Sequence, residues 1–315
     1  MTILNKKFII QKEGFVNQVI HLSDIHIGAD ASNGKSCLEN FITICNHIAF
    51  MGNTKNTVVV ITGDILDEVR GKYEKQFKKI LRTLKKNVLD VIIVPGNHDY
   101  SPKNLLTKIT KKLAGVYMLK RTSKQFSKKF NLPLYNQYPI TYMYPESKVA
   151  FTVLDSNAGE LGFLDHISAE GELGKKQLNR LEESHLNNTN LKGYQKFLLL
   201  HHHAVKDMPF HQLKDKKDFQ KIIMQHNNIY EDILAILCGH NHKDYAKNEQ
   251  KNGNPLPGIS LIYAANTSTA KGSEKEGKAE EIPHRFIDLK KGIVREHRLL
   301  SNEPRKEKIE KLFSN

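Results

Sequence analysis

The chain has no tryptophan and only three cysteines, Cys37, Cys45 and Cys238, none of them in a CxxC pair. An odd, scattered set is poor material for a disulfide framework or a zinc ribbon. It is the pattern of buried, reduced thiols, and a cytoplasmic location is expected. Long hydrophobic runs are also lacking. The longest, such as Ile233 to Cys238, reach six residues, against the roughly 20 needed to cross a bilayer, so no membrane span is expected. The segment MTILNKKFIIQKEGF is broken by Asn5, Lys6 and Lys7 before a signal-peptide core can develop. Acid is missing from one stretch. Between Ser101 and Pro145 there is no Asp or Glu, while nine Lys and Arg residues fall there, from Lys103 to Lys129. That segment reads either as a solvated surface or as a basic face for an anionic partner.

What is present is ordinary for a globular protein: 315 residues, 39% hydrophobic, 26% charged, net charge +14. Such a length buries a core without staples. With no repeat and no long Pro/Gly/Ser linker, one domain over residues 1–300 is expected. A basic tail over 301–315 would follow, as a short helix or a frayed end. Short apolar, β-branched runs recur at Val19–Leu22, Val58–Thr62, Val91–Val94, Val149–Leu154, Phe197–Leu200 and Ile233–Leu237. Continuous rather than alternating apolar residues imply strands covered on both faces. Between them lie helical periodicities: Leu38, Phe41, Ile42, Cys45 and Ile48 after a cap at Ser36, then Tyr73 to Leu84, then Leu173 to His185. The expected class is therefore a layered α/β fold, closed by strands at Ile259–Ala264, Phe286–Leu289 and Ile293–Leu299. Ala270 to Glu281 reads as a surface loop.

Five of the strands run directly into polar residues. VIHLSDIHIG carries Asp24 and His26, and VVVITGDILD carries Asp64 and Asp67. VIIVPGNHD carries Asn97, His98 and Asp99, FLLLHHH carries His201, His202 and His203, and ILAILCGHNH carries His240 and His242. Open α/β sheets bind ligands beyond the carboxyl ends of their strands. Carboxylate, imidazole and amide together suit first-row metals such as Mn, Fe or Zn and disfavour an all-oxygen calcium site. A lone GD or DxH is weak, but the joint order DxH, GDxxD, GNHD, His, GHxH has little purely structural rationale.

These motifs, from Val19 to His242, resemble the calcineurin-like metallophosphoesterase superfamily. The resemblance implies a β-sandwich flanked by helices and two divalent or trivalent metal ions. Asp24, His26 and His242 would hold one ion, and Asn97, His240 and a histidine of the fourth motif the other, with Asp64 bridging. Aligning the fourth motif on His202–Ala204 favours His202, with His201 the alternative and His203 a neighbour or substrate contact. The implied reaction is hydrolysis of a phosphoester by a metal-bound hydroxide. His98 would serve as general acid, oriented by Asp67, or less directly by Asp99. Asp67 has an equal reading as an acid at the start of the following helix.

GDILDEV and GNHD differ from the GDxxDRG and GNHE typical of protein phosphatases. Leu154 to Glu183 is similar to bacterial cyclic-nucleotide phosphodiesterase-like members, which implies a nucleotide or cyclic-nucleotide diester as substrate. The alternative is a nuclease similar to the double-strand-break repair exonucleases, with nucleic acid contacted by the 101–145 lysines and stacked on Tyr135, Tyr138, Tyr142 or Tyr144. Those tyrosines have a second reading as strand core. A scaffold without activity is disfavoured by the complete ligand set.

Overall fold

The computed structural model describes residues 8–31, 35–51, 54–67, 71–100, 120–157, 170–204, 213–240, 245–248, 256, 259, 261–264, 281–291, 293–300 and 306–311. The expected strands form and sort into two sheets. In the six-stranded sheet, β2 (Gln18–Leu22), β3 (Thr57–Thr62) and β4 (Asp90–Val94) run parallel, in the order β13-β12-β11-β2-β3-β4. In the seven-stranded sheet, β6 (Val149–Val153), β7 (Gln195–Leu199), β8 (Ile233–Cys238) and β10 (Leu261–Ala264) run parallel, in the order β1-β5-β6-β7-β8-β10-β9. The outer strands are β1 (Ile9–Gln11), β5 (Ile140–Tyr144), β9 (Tyr245–Asn248), β11 (Glu281–Asp288) and β12 (Ile293–Leu300).

The continuous apolar runs have two faces because each strand is covered twice. Val19, Val58, Val60 and Val94 point inward and meet Phe151, Phe197 and Leu199 of the other sheet. Their neighbours Ile20, Val59, Ile61 and Ile93 point outward, under Phe41 and Ile48 of α1 (Cys37–Phe50), Phe77 and Leu81 of α2 (Gly71–Asn87), and Phe126 of a helix over residues 120–130. The second sheet is covered by α6 (Lys216–Tyr230) through Phe219 and Ile223, and by α5 (Lys175–Arg180) with a π-helical turn at Leu181–Leu186. The result is four layers, helices on sheet on sheet on helices. Two further short elements matter below: α3 (Asn97–Tyr100) and the 120–130 helix, numbered α4.

Local signals act as expected. Ser36 caps α1 in a reciprocal box with Glu39: Glu39 N donates to Ser36 Oγ at 3.2 Å and Ser36 N to Glu39 Oε2 at 2.7 Å. All three cysteines are buried and none forms a disulfide, and burial pushes the Cys238 thiol up to about 12. Tyr138 and Tyr144 are core residues, 1% and 0% exposed, which removes them as stacking platforms. One expectation is corrected. The tail is not a helix: β13 (Lys306–Lys311) pairs antiparallel with β12, so it extends the six-stranded sheet by main-chain hydrogen bonds that need no apolar pattern. Residues 265–280, most of the expected surface loop, lie outside the described residues.

Candidate metal centre

The carboxyl ends of β2, β3, β4, β7 and β8 meet at one rim. Tight turns there let backbone and side chain share space. At Gly96 a Cβ would collide with Asp64 N and Oδ1, and at Gly239 with Ser23 Oγ and Asp24 Oδ2. Asp24, His26, Asp64 and His240 all have φ between 49° and 74°, a region that side-chain-bearing residues rarely occupy. Main-chain bonds hold these turns together: Asp24 N donates to Gly63 O at 3.0 Å and His26 N to Asp64 O at 2.9 Å.

Two groups of ligand-type atoms result among the described residues, each with members within 4.8 Å of one another: His26, Asp64 and His98, and Asp64, His201 and His240. Asp64 is common to both. In the second group, His201 Nε2 lies 3.0 Å from Asn97 Oδ1, 3.4 Å from Asp64 Oδ2 and 3.2 Å from His240 Nδ1. Its other nitrogen, Nδ1, is 2.7 Å from Thr62 O, and a carbonyl there fixes Nδ1 as the donor. Nε2 therefore faces a cluster of electron-pair donors. Burial opposes a charge on His201, but Asp64 outweighs it and pushes the ring up to about 10. Burial likewise opposes ionisation of Asp64, yet His201, then His98 and His26, hold its carboxyl well below the usual range. A site that draws a proton so strongly draws a metal cation in its place, and its oxygen and imidazole donors suit the metals named above.

The structure brings His201, not His202, into this group of ligand atoms, while the His202 ring lies against that of His240 with centroids 4.3 Å apart. His202 Nδ1 is 2.8 Å from Ser156 Oγ, and the ring packs where a Cβ on Gly171 would sit. The distinction lies in the strand's alternation, which the structure reveals. Phe197 and Leu199 face the other sheet while Leu198 and Leu200 face the helices, so His201 continues the inward series and His202 the outward one. His203 is buried, and its carbonyl accepts from Leu213 N at 3.3 Å. Asp24 stands beside the two groups rather than in them. Its oxygens accept from His240 N, both at 3.1 Å, and from Ser23 Oγ at 2.5 Å. His242 lies outside the described residues.

His98 is held from two sides. Its amide donates to Asp64 Oδ1 at 2.9 Å, and its Nδ1 is 2.9 Å from the Asp67 main-chain carbonyl. The Asp67 carboxylate lies 3.6 Å from His26 Nδ1. Asp67 thus meets the His98 ring through its backbone. Asp99 turns away from that ring and accepts from Ile65 N, Leu66 N and Gly96 N at 3.0, 3.0 and 2.9 Å, tying the second motif's loop to the third. Burial and the Asp64 charge push it up to about 8 against those donors. Sequence reasoning missed a supporting network. Asp155, directly after the β6 apolar run, accepts from Tyr100 OH at 3.0 Å and Asn157 Nδ2 at 2.8 Å, and Asn157 Nδ2 also donates to Pro95 O at 3.0 Å. The third motif is thereby braced against the opposite sheet.

A family model described as calcineurin-like phosphoesterase matches residues 18–244. The chain belongs to that family. It is a metal-dependent phosphoester hydrolase. A relative described as a probable cyclic nucleotide phosphodiesterase, from Coxiella burnetii, is 24% identical over 237 residues, 72% of this chain and 77% of that one. Among solved structures, a dimetal phosphatase from Danio rerio matches with a TM-score of 0.58 at 11% identity, covering 93% of this chain and 99% of that one. A purple acid phosphatase from yellow lupin, Lupinus luteus, matches with a TM-score of 0.51 at 13% identity, covering 91% and 52%. These likenesses at low identity bear out the helix-flanked sandwich. No helix among the described residues is long and apolar enough to cross a membrane.

Proposed function

We propose that the phosphoesterase acts on a diester of nucleotide type, a cyclic nucleotide in particular. The observation that carries the two-metal chemistry is the membership of Asp64 in both groups of ligand atoms, which suits one carboxylate shared by two ions. The substrate class is supported by the Coxiella burnetii relative, which covers most of the chain. We assign Asp24, His26 and His242 to one ion and Asn97, His201 and His240 to the other, with His201 replacing His202. Manganese, iron or zinc fits the donors. When bound, two such ions activate water and polarise the phosphoryl oxygens.

The chain's own residues do the rest. Thr62 O fixes His201 Nδ1 as donor and so presents Nε2 to the ion, while His240 is held by its amide on Asp24. The Asp67 carbonyl, accepting from His98 Nδ1, aims His98 Nε2 at the site, and from there it delivers a proton to the departing oxygen. Asp67 is then a positioning residue that works through its main chain. Three buried thiols favour the cytoplasm as the working compartment. The test is a panel with the manganese-loaded protein: cyclic nucleotides, bis-p-nitrophenyl phosphate and p-nitrophenyl phosphate. Turnover of the diesters with little of the monoester is expected. A monoester preference, or no cyclic-nucleotide turnover, overturns the substrate assignment.

A further inference from the structure

The surplus positive charge of the chain is concentrated on two neighbouring helices. α2 carries seven Lys or Arg residues and α4 five, against one acid in the pair, Glu74. The chain has 48 basic and 34 acidic residues in all. The two helices therefore hold eleven of its fourteen surplus charges, and the remainder is close to balanced. Glu74 is buried and paired with Lys129, so the other eleven cations of the two helices face no acid on either helix. A solvated lysine-rich surface would spread its charge; this one gathers it.

The arrangement follows from helix geometry. At 100° per residue, Lys75, Lys79, Arg82 and Lys86 form one exposed row along α2, about one per helical turn of ~5.4 Å. On the side toward α4, Lys78 lines a groove of about 630 Å³ with Gln125, Lys128 and Lys129. Both helices start at the rim of the metal centre. Tyr73 of α2 packs over Gly28 in the loop that follows His26, and Thr122 of α4 donates to the carbonyl of Tyr100, at the end of the third motif. Their apolar residues, Phe77, Leu81, Leu84, Phe126 and Phe130, are spent in the core. Among the described residues of the two helices none is left to insert into a lipid surface, and no exposed aromatic is there to stack on unpaired bases.

We propose that this paired-helix face binds the phosphate backbone of a nucleic-acid duplex, without sequence preference. A row of cations fits a regular line of phosphates, and a surface of lysines without base-reading or stacking groups supplies only the sequence-independent part of recognition. The inference concerns binding alone and stands apart from the substrate reading.

The test uses the full chain with a fluorescein-labelled 30-base-pair duplex in EDTA, so that hydrolysis plays no part. Anisotropy is expected to show binding at low salt that weakens steeply as salt rises. Reversing the row with K75E, K79E and R82E together is expected to weaken it by roughly tenfold or more. The same number of reversals on α6 and its approach, K214E, K217E and K221E, is expected to change it by less than about threefold. The neutral set K75Q, K79Q and R82Q gives an intermediate loss and guards against misfolding of the reversed form. No binding at 50 mM salt, equal losses from the two reversals, or binding to phosphatidylserine vesicles without binding to the duplex would each overturn the proposal.

Discussion

β7 has a buried polar cluster at each end, and the two are built differently. At its start, Lys196 is 1% exposed and paired with Asp232, which also meets His226 Nε2 at 2.8 Å. Just past its end, His201 meets Asp64, Asn97 and His240. The first cluster matches one cation with one carboxylate. The second gathers electron-pair donors from four strand ends. Backbone strain separates them as well. Of the seven non-glycine residues with positive φ among the described residues, four are in the metal centre. The others fit ordinary turns: Asn131 follows α4, Lys148 closes the β5–β6 hairpin, and Glu231 ends α6 with its amide on Asn227 O at 2.9 Å. Buried charge by itself is therefore no mark of function in this chain. Converging donors held by strained turns are.

That contrast predicts a double dissociation, and the metal-centre half should be the larger effect. Asp64→Asn removes the shared carboxylate while keeping shape. Hydrolysis of bis-p-nitrophenyl phosphate is expected to fall by roughly 10³-fold or more, with loss of bound metal and little change in Tm. Activity within tenfold of wild type would remove Asp64 from the mechanism. Next, His201→Ala is expected to lower metal content, measured by elemental analysis, and to weaken metal affinity by more than the roughly 10–100-fold seen for supporting residues. His202→Ala is expected to stay within that range. The reverse order would restore the alignment on His202 and discard the alternation argument.

A smaller and more selective effect is expected at His98. A general acid matters most when the leaving oxygen is a poor one. His98→Gln should therefore cost roughly 10²–10⁴-fold with a cyclic nucleotide, whose leaving group is a sugar alkoxide, but less than about tenfold with a p-nitrophenyl diester. Equal losses on both, accompanied by reduced metal content, would make His98 a ligand beside His26 and Asp64 instead of an acid.

Much of this was legible because chemistry and topology coincide. Each ligand motif directly follows an apolar run, so finding β2, β3, β4, β7 and β8 also located Asp24, Asp64, Asn97 and His240. The choice among three adjacent histidines needed the inward and outward faces of β7, which the continuous run FLLL hides, because both faces are covered. The role of Asp67 was opaque for another reason: what meets His98 is a carbonyl, and side-chain identity says nothing about it. The C-terminal strand was illegible because KEKIEK has no apolar alternation, and ladder pairing with β12 needs none. The basic face was seen only in part. The acid-free stretch stands out in sequence, but the neighbour of its lysines at 128 and 129 is α2, and that adjacency is tertiary.

The last prediction addresses the cluster at the start of β7. Asp232→Asn leaves Lys196 buried without its counter-ion, and breaking a buried pair in this way costs about 3 kcal/mol, with diester hydrolysis unchanged. The pH dependence gives a sharper check. Burial lowers the Lys196 pKa, and Asp232 now opposes that shift; without the carboxylate it falls further. A lysine whose folded pKa lies below its unfolded value of about 10.4 binds fewer protons folded than unfolded, so the penalty shrinks as pH rises toward that value. The stability gap between Asp232→Asn and wild type, from urea midpoints, is expected to narrow between pH 7 and pH 10. Asp232 itself works in the opposite direction. Burial opposes its ionisation, but His226 and Lys196 hold its carboxyl below the usual range. Its contribution is complete above about pH 4 and is lost as pH falls through the lowered value, so the gap should also close in acid. A gap that stayed constant from pH 3 to pH 10 would mean the pair is not ionic, and the contrast between the two ends of β7 would lose its basis.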